Sequence, residues 1–534
     1  MINMKWGKIV RKVIHKNIPI ILILLLTIYY FEYSVTITYD SAHYMHYVSI
    51  FEGNSLWNSW DVVRGPIFPI IIFLSNLVFG KTSQGLIMNS YIYYLVMIIF
   101  VYRLSNYCFD AIEYSDKKKK KYISIIIFSI IINPIIYGFY HCLLTEFVAI
   151  TLTMISIYLA ILWLNIDVIN KKYITYSILF ILLTIIAWFL KQPYVSCSLF
   201  VFITTYIVQI LENKKIKNIT IRTCTLIICI IFLIISIQSW NAFLKKMGNN
   251  PDTSRNPTNS LGFQLIEAID FIKIENNKNI NIDKLKFSAK EKVGIKKLIK
   301  KNISCIVINH YKKGKIIESD YLIGEEYSIS MNSSIKYITS LLIRYPDRLI
   351  KSYLSNYLSI IDIYSTNTTD GVKYRSNKKV SLTFFNELLS LGNGLYSYGN
   401  SNIYEMPKSM YNKVKYYKQY RYNSNGLNIL MYNLGIIYLL LFKVLFLLLP
   451  LLLIMAIILK FINKNNTKYN NILNVIIIIF GFSLLHLLLH VITGAIIDRY
   501  VIPVFIPVFI ATIMLINLII RIKKSRWLIW KKYY

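Results

Sequence analysis

The chain has 534 residues, 55% of them hydrophobic, with a mean hydropathy of +0.49 and a formal net charge of +34. Apolar runs of about 18 residues or more recur along it, which rules out a soluble globular protein and implies an all-α polytopic membrane protein. The Lys and Arg residues gather at the ends of these runs, a placement that fits membrane topology and anionic headgroups rather than a nucleic-acid groove. The six cysteines (Cys108, Cys142, Cys197, Cys224, Cys229 and Cys305) form no CxxC pair, so neither a disulfide framework nor a zinc-ligand spacing is present.

Residues 1–17 are basic and precede an apolar run with no small-residue cleavage site, so the run reads as a retained anchor. With Lys5, Lys8, Arg11, Lys12 and Lys16 in the cytoplasm, a first span from about Ile18 to Thr36 delivers Asp40 to the outer face. The next basic block, Lys117 to Lys121, returns to the cytoplasm, so an odd number of crossings separates it from Asp40. Leu86 to Leu104 is long enough to cross, whereas Ile67 to Gly80, about fourteen residues, is not. The Pro66–Gly80 stretch is therefore expected as a juxtamembrane or re-entrant helix on the outer face.

Downstream spans alternate: about Tyr122 to Tyr137, Phe147 to Leu164, Ile174 to Leu190, Tyr194 to Leu211, and Leu226 to Trp240, the last with its start blurred by Thr220–Arg222. Residues 1–240 thus form one transmembrane module, with a first outer loop over about 37–85. Residues 241–428 are polar and extracytoplasmic, mostly helical or irregular; loops this long escape the positive-inside rule. Within them Ile338, Leu342, Tyr345, Leu349, Tyr353 and Tyr357 recur at helical spacing, a stripe that lies on the membrane surface or packs on the bundle. Residues 429–534 add spans at about Ile436–Phe461, with Pro450 inside, Ile472–Ile492 and Val501–Ile520, then a basic tail. The total is about ten spans.

This topology collects Asp40, Arg64, Glu146, Lys191 and the Asp498-Arg499-Tyr500 cluster on the outer face. Ionisable groups near membrane depth are costly and point to function, although each also lies near a span end where helix capping or headgroup contact would explain it. Asp40 and Tyr44 stand four apart, so a helix turns them to one face. Together these groups suit transfer of a sugar from a polyprenyl phosphate. Phosphate leaves without a protonating acid, so the reaction needs one base for the acceptor hydroxyl and cations for the phosphate. Asp40 fits the base, and Arg64, Lys191 and Arg499 fit the cations. Glu146 would bind a sugar hydroxyl, orient the acceptor, help hold a divalent metal, or simply start a helix behind Thr145 as N-cap. His43, His141, Tyr44, Asp498 and Tyr500 are further substrate-binding candidates. Asp40, His43 and His46 stand at i, i+3 and i+6, poor spacing for a shared metal, so no metal ligands are assigned. His486 and His490, four apart inside an apolar span, read as a buried hydrogen-bonded pair or as part of an outer cavity.

These residues resemble the GT-C superfamily of polyprenyl-phosphate-sugar-dependent glycosyltransferases, in the branch of protein O-mannosyltransferases and bacterial aminoarabinose transferases. The resemblance rests on Asp40 to Tyr44, Arg64-Gly65-Pro66-Ile67-Phe68-Pro69, Leu144-Thr145-Glu146, Lys191-Gln192-Pro193, and Arg499-Tyr500 with Pro503 and Pro507. It covers about the first 240 residues and the last span. Where the family commonly has an Asp-Glu pair this chain has Asp40-Ser41, and Arg64-Gly65 replaces the usual residues before a Pro-Pro pair, so the donor sugar does not carry over. The resemblance implies a GT-C transmembrane bundle in the cell membrane, an inverting transfer at the extracytoplasmic face, and a glycan, lipid or protein acceptor. Two rivals stand beside it. A cell-envelope glycan polymerase or ligase would place its key arginines and histidine in the large loop, and a transporter or flippase would carry mid-membrane charges and paired broken helices.

Overall fold

The structure, a computed structural model, describes residues 39–60, 64–112, 115–164, 166, 170–212, 216–249, 425–463, 466–493 and 498–533, with residues 27 and 30–31 and scattered positions between 288 and 358. The first span, apart from Thr27, Tyr30 and Phe31, lies outside these residues, as do the basic N-terminus and most of the 241–428 segment. The described chain is nearly all helical. Two short helices come first, α1 (Tyr39–Phe51) and α2 (Ile67–Phe79), followed by α3 (Ser83–Ala111), α4 (Asp116–Ile131), α5 (Pro134–Tyr140), α6 (Glu146–Leu164), α7 (Lys171–Leu190), α8 (Ser196–Glu212) and α9 (Ile216–Lys246). After the large segment come α10 (Asn425–Ile462), α11 (Thr467–Thr493) and α12 (Phe505–Tyr533). Within the large segment, β1 (Val307–Lys312) and β2 (Lys315–Tyr321) form an antiparallel hairpin.

Among the described residues eight helices are long and apolar enough to cross a membrane, or nine if α4 and α5 together make one span. This is the composition of a multi-pass membrane protein. At 13 residues α2 is a short apolar helix. It buries Phe68, Pro69 and Ile72 while Leu74, Leu77 and Val78 stay exposed.

Where hydropathy predicts one continuous span from Tyr122 to Tyr137, the chain instead breaks and bends by 59° between α4 and α5. The cause is local. Pro134 has no N–H to continue α4, and the Asn133 side chain accepts from the N–H groups of Ile135 and Ile136 at 3.0 and 3.4 Å, starting a new helix. The blurred start of α9 is also explained. Arg222 is buried, donates to Ile166 O at 2.9 Å and lies 5.1 Å over the Trp163 ring, so its charge is met inside the protein.

Of the membrane-length helices the most buried are α6, α11 and α12, and α6 packs against α3, α7 and α8. The pair α8–α11 is pinned along its length by Ser196 with His486, Thr204 against Gly481, and Glu212 with Asn474. Helices α9 and α10 lie at the periphery and present Ile231, Phe232, Ile235, Leu447, Leu451 and Ile454 outward, the apolar surface a lipid-facing helix needs. Tyr30 packs into this bundle, where its buried hydroxyl meets Ser90 Oγ at 2.9 Å and donates to Tyr140 O at 3.2 Å.

The Tyr353–Tyr357 end of the helical stripe packs on the bundle, where the Tyr357 hydroxyl donates to Phe446 O at 2.7 Å. Pro450 lies inside α10, four residues after Phe446, and its missing N–H would have bonded that same carbonyl. A residue of the large segment thus completes a hydrogen bond that a proline removes from a membrane-class helix.

Candidate active site

The loop Arg64-Gly65-Pro66 lies against the end of α7. A Cβ on Gly65 would stand 1.9 Å from Phe189 O and 2.4 Å from Phe189 C, so only glycine permits this approach. The contact sets Arg64 one residue away on one side and Lys191 two residues away on the other. Arg64 is held further by its carbonyl, which accepts from Trp60 Nε1 at 2.8 Å, and its guanidinium lies 5.1 Å over the Tyr44 ring. Tyr44 is buried, edge-on to Phe68 at 4.8 Å.

Ser41, the residue after Asp40, is buried, and its hydroxyl donates to Leu143 O at 2.8 Å, which fastens the first turn of α1 to the loop before Glu146. Asp40 and Tyr44 lie one turn apart on α1, as the spacing predicts; the side chains of Asp40 and His43 are outside the described residues. Glu146 is the first residue of α6 and is fully buried, and the Thr145 hydroxyl donates to its Oε2 at 3.3 Å. A carboxylate at a helix N-terminus is favoured by the helix dipole. The neighbouring Phe147 ring packs on Phe68 of α2 at 5.7 Å, so α2 and the start of α6 are in direct contact.

Lys191 caps α7 in extended conformation (φ −168°, ψ 131°) and is half-buried. A 3-10 turn, Gln192–Val195, follows, with the Tyr194 N–H donating to Lys191 O at 2.8 Å. A second 3-10 turn, Asp498–Val504, packs on α6 and leads into α12. The side chains of Asp498, Arg499 and Tyr500 lie outside the described residues. Helices α6 and α7 are packed neighbours joined by a short connection, which puts the start of α6 and the end of α7 together. The Ser196–His486 contact puts the end of α11, and hence the 498–504 turn, at that same end. The topology therefore gathers all five predicted positions at one end of the bundle.

His141 is buried, stacked on Tyr137 at 4.1 Å, with Nδ1 2.9 Å from Tyr137 O and Nε2 2.8 Å from Tyr30 O. A neutral ring has one N–H, so it donates to only one of these two carbonyls. Burial lowers its pKa to about 4, against the opposing pull of the two carbonyls. His46 Nε2 lies 2.9 Å from Ser59 Oγ. Among the described residues no group of three or more His, Cys, Asp or Glu is placed to hold a metal ion.

Sequence reasoning passed over Ser41, Gly65 as a contact and Ser196. Of these only Gly65 carried a signal, as a glycine between a charge and a proline. No family model, curated protein or solved structure matches this chain.

Proposed function

We propose that the protein is a membrane glycosyltransferase of GT-C type that moves a sugar from a polyprenyl phosphate to an extracytoplasmic acceptor with inversion. The acceptor oxygen attacks the anomeric carbon as the carbon–oxygen bond to phosphate breaks. The phosphate leaves with the bonding pair, and the acceptor proton passes to the Asp40 carboxylate. Arg64, Lys191 and Arg499 hold the phosphate as its charge develops. Glu146 binds a sugar hydroxyl or orients the acceptor. The observation that carries this reading is the meeting of the Arg64 loop with the end of α7, beside the first turn of α1 and the start of α6.

The decisive experiment compares surface glycans with and without the protein by mass spectrometry, then measures transfer by purified variants. Asp40→Asn keeps the shape of the side chain but takes no proton, so it should still bind donor and lose transfer by roughly two orders of magnitude. Lys191→Ala and Arg499→Ala should each weaken donor use about ten- to hundredfold. Wild-type turnover by Asp40→Asn would remove Asp40 as base.

A flippase reading draws on two separate features, the 59° break between α4 and α5 and the buried His486 and His490 of α11. It predicts that vesicles holding the purified protein move a lipid-linked sugar between leaflets without transferring it.

A further inference from the structure

We infer that His486 is a positioning residue for the Lys191 turn, acting through Ser196; this rests on the phosphate-binding role of Lys191 proposed above. Ser196 is the first residue of α8 and is fully buried. Its hydroxyl donates to Pro193 O at 2.7 Å and lies 2.6 Å from His486 Nδ1. A serine has one proton to give. Since the Pro193 carbonyl takes it, Ser196 Oγ accepts from His486, which fixes the proton of that ring on Nδ1. The His486 ring is itself fully buried and rests edge-on against His490, 4.6 Å between centroids at 73°. Two histidines one turn apart within an apolar helix are costly unless their polar atoms are used.

The order of contacts shows what this use is. His486 holds Ser196, Ser196 holds the Pro193 carbonyl, and Pro193 belongs to the Gln192–Val195 turn whose Tyr194 N–H closes back onto Lys191 O. Helix α11 thus braces the backbone that presents Lys191, and its own C-terminal end leads to the Asp498–Val504 turn that carries Arg499. One helix thus lies against the Lys191 turn through Ser196 and also packs on the turn that carries Arg499. A phosphate gripped by two such groups depends on their spacing to a fraction of an ångström, so a loosened brace weakens the grip without removing a charge.

The test uses the full-length protein in detergent–lipid micelles and a polyprenyl monophosphate as probe, with affinity read from tryptophan fluorescence and stability from a melting curve. His486→Leu and Ser196→Ala should each weaken binding about fivefold, the equivalent of one net hydrogen bond. The double variant should bind no more weakly than either single one, because both changes cut the same link. His486→Asn places an N–H donor close to the Nδ1 position and should restore binding to within about twofold. Should His486→Leu fail to fold, Ser196→Ala and His486→Asn carry the comparison. Wild-type affinity in Ser196→Ala, additive losses in the double variant, or no rescue by His486→Asn would each overturn the inference and leave the proposed function standing. A folded wild-type protein that binds no polyprenyl phosphate would overturn both.

Discussion

Replacing Tyr357 with phenylalanine isolates a single hydrogen bond between the large polar segment and a membrane-class helix. The acceptor, Phe446 O, stands four residues before Pro450 and so has no intrahelical donor; Tyr357 supplies one at 2.7 Å. Phe446 is fully buried, so water is not at hand to replace the lost hydroxyl. Leaving a buried acceptor unmet costs about 1–3 kcal/mol, while polar contacts within membrane bundles average about 0.6 and reach about 1.7 kcal/mol. Tyr357→Phe should therefore destabilise the protein by about 1 kcal/mol. Pro450→Ala returns an N–H to the helix at the position that serves Phe446 O, which makes the tyrosine redundant. In that background Tyr357→Phe should cost close to nothing, a coupling of about 1 kcal/mol in a double-mutant cycle. Unfolding in mixed micelles, followed by tryptophan fluorescence, measures all four proteins. An equal cost of Tyr357→Phe in both backgrounds would refute the link between Tyr357 and the missing proline N–H.

Gly65→Ala forces a Cβ against Phe189 O, where 1.9 Å is available, so the loop must move away from α7; a loss of about 1–3 kcal/mol in stability is expected from overpacking, with weakened donor use as Arg64 parts from Lys191, read by melting and by donor titration. His141, with its pKa lowered to about 4 by burial, stays neutral while the unfolded chain takes a proton below about pH 6.5, so stability should fall between pH 6.5 and 4 by up to about 3 kcal/mol; His141→Gln should flatten that part of the pH–stability curve. A reporter fused after Lys121 should be active only in the cytoplasm, and one at Thr82 only outside; a cytoplasmic Thr82 tag would separate Glu146 from the Asp40 loop.

The spans are legible because each is a single long apolar run, and α6 begins one residue from where hydropathy alone starts it. The break at Asn133-Pro134 was equally visible as a turn-forming pair, but averaging hydropathy over a window conceals a bend that leaves composition unchanged. Arg222 blurs a span start in the sequence because its partners, Ile166 O and the Trp163 ring, lie on another element. The same reason hides Ser41 and Ser196. Their partners are 102 and 290 residues away, and a short polar side chain announces nothing about a contact at that distance. Charged residues at span ends are visible one by one, whereas the contacts that bring them together are tertiary.

Those contacts share a physical origin. A connector packed among membrane helices has carbonyls that water does not reach, and each must be met by a donor from the protein. Leu143 O is met by Ser41, Arg64 O by Trp60, and Pro193 O by Ser196, every donor a side chain on a short buried or part-buried path. Because the connectors carrying those carbonyls are also the ones that carry Arg64, Glu146 and Lys191, satisfying the backbone and fixing the charges are one event. A carbonyl left unmet would cost stability, and the same slack would let the cation beside it drift. On the proposed chemistry this means that conservative changes in Ser41, Trp60 and Ser196, none of which carries a charge, should reduce phosphate binding in parallel with stability at that end of the bundle. Exposed apolar positions of α9 and α10 such as Phe232, Ile235, Leu451 and Ile454 should tolerate apolar substitution without either effect, whereas Trp240 of α9, whose ring meets Trp60 at 5.6 Å, should not.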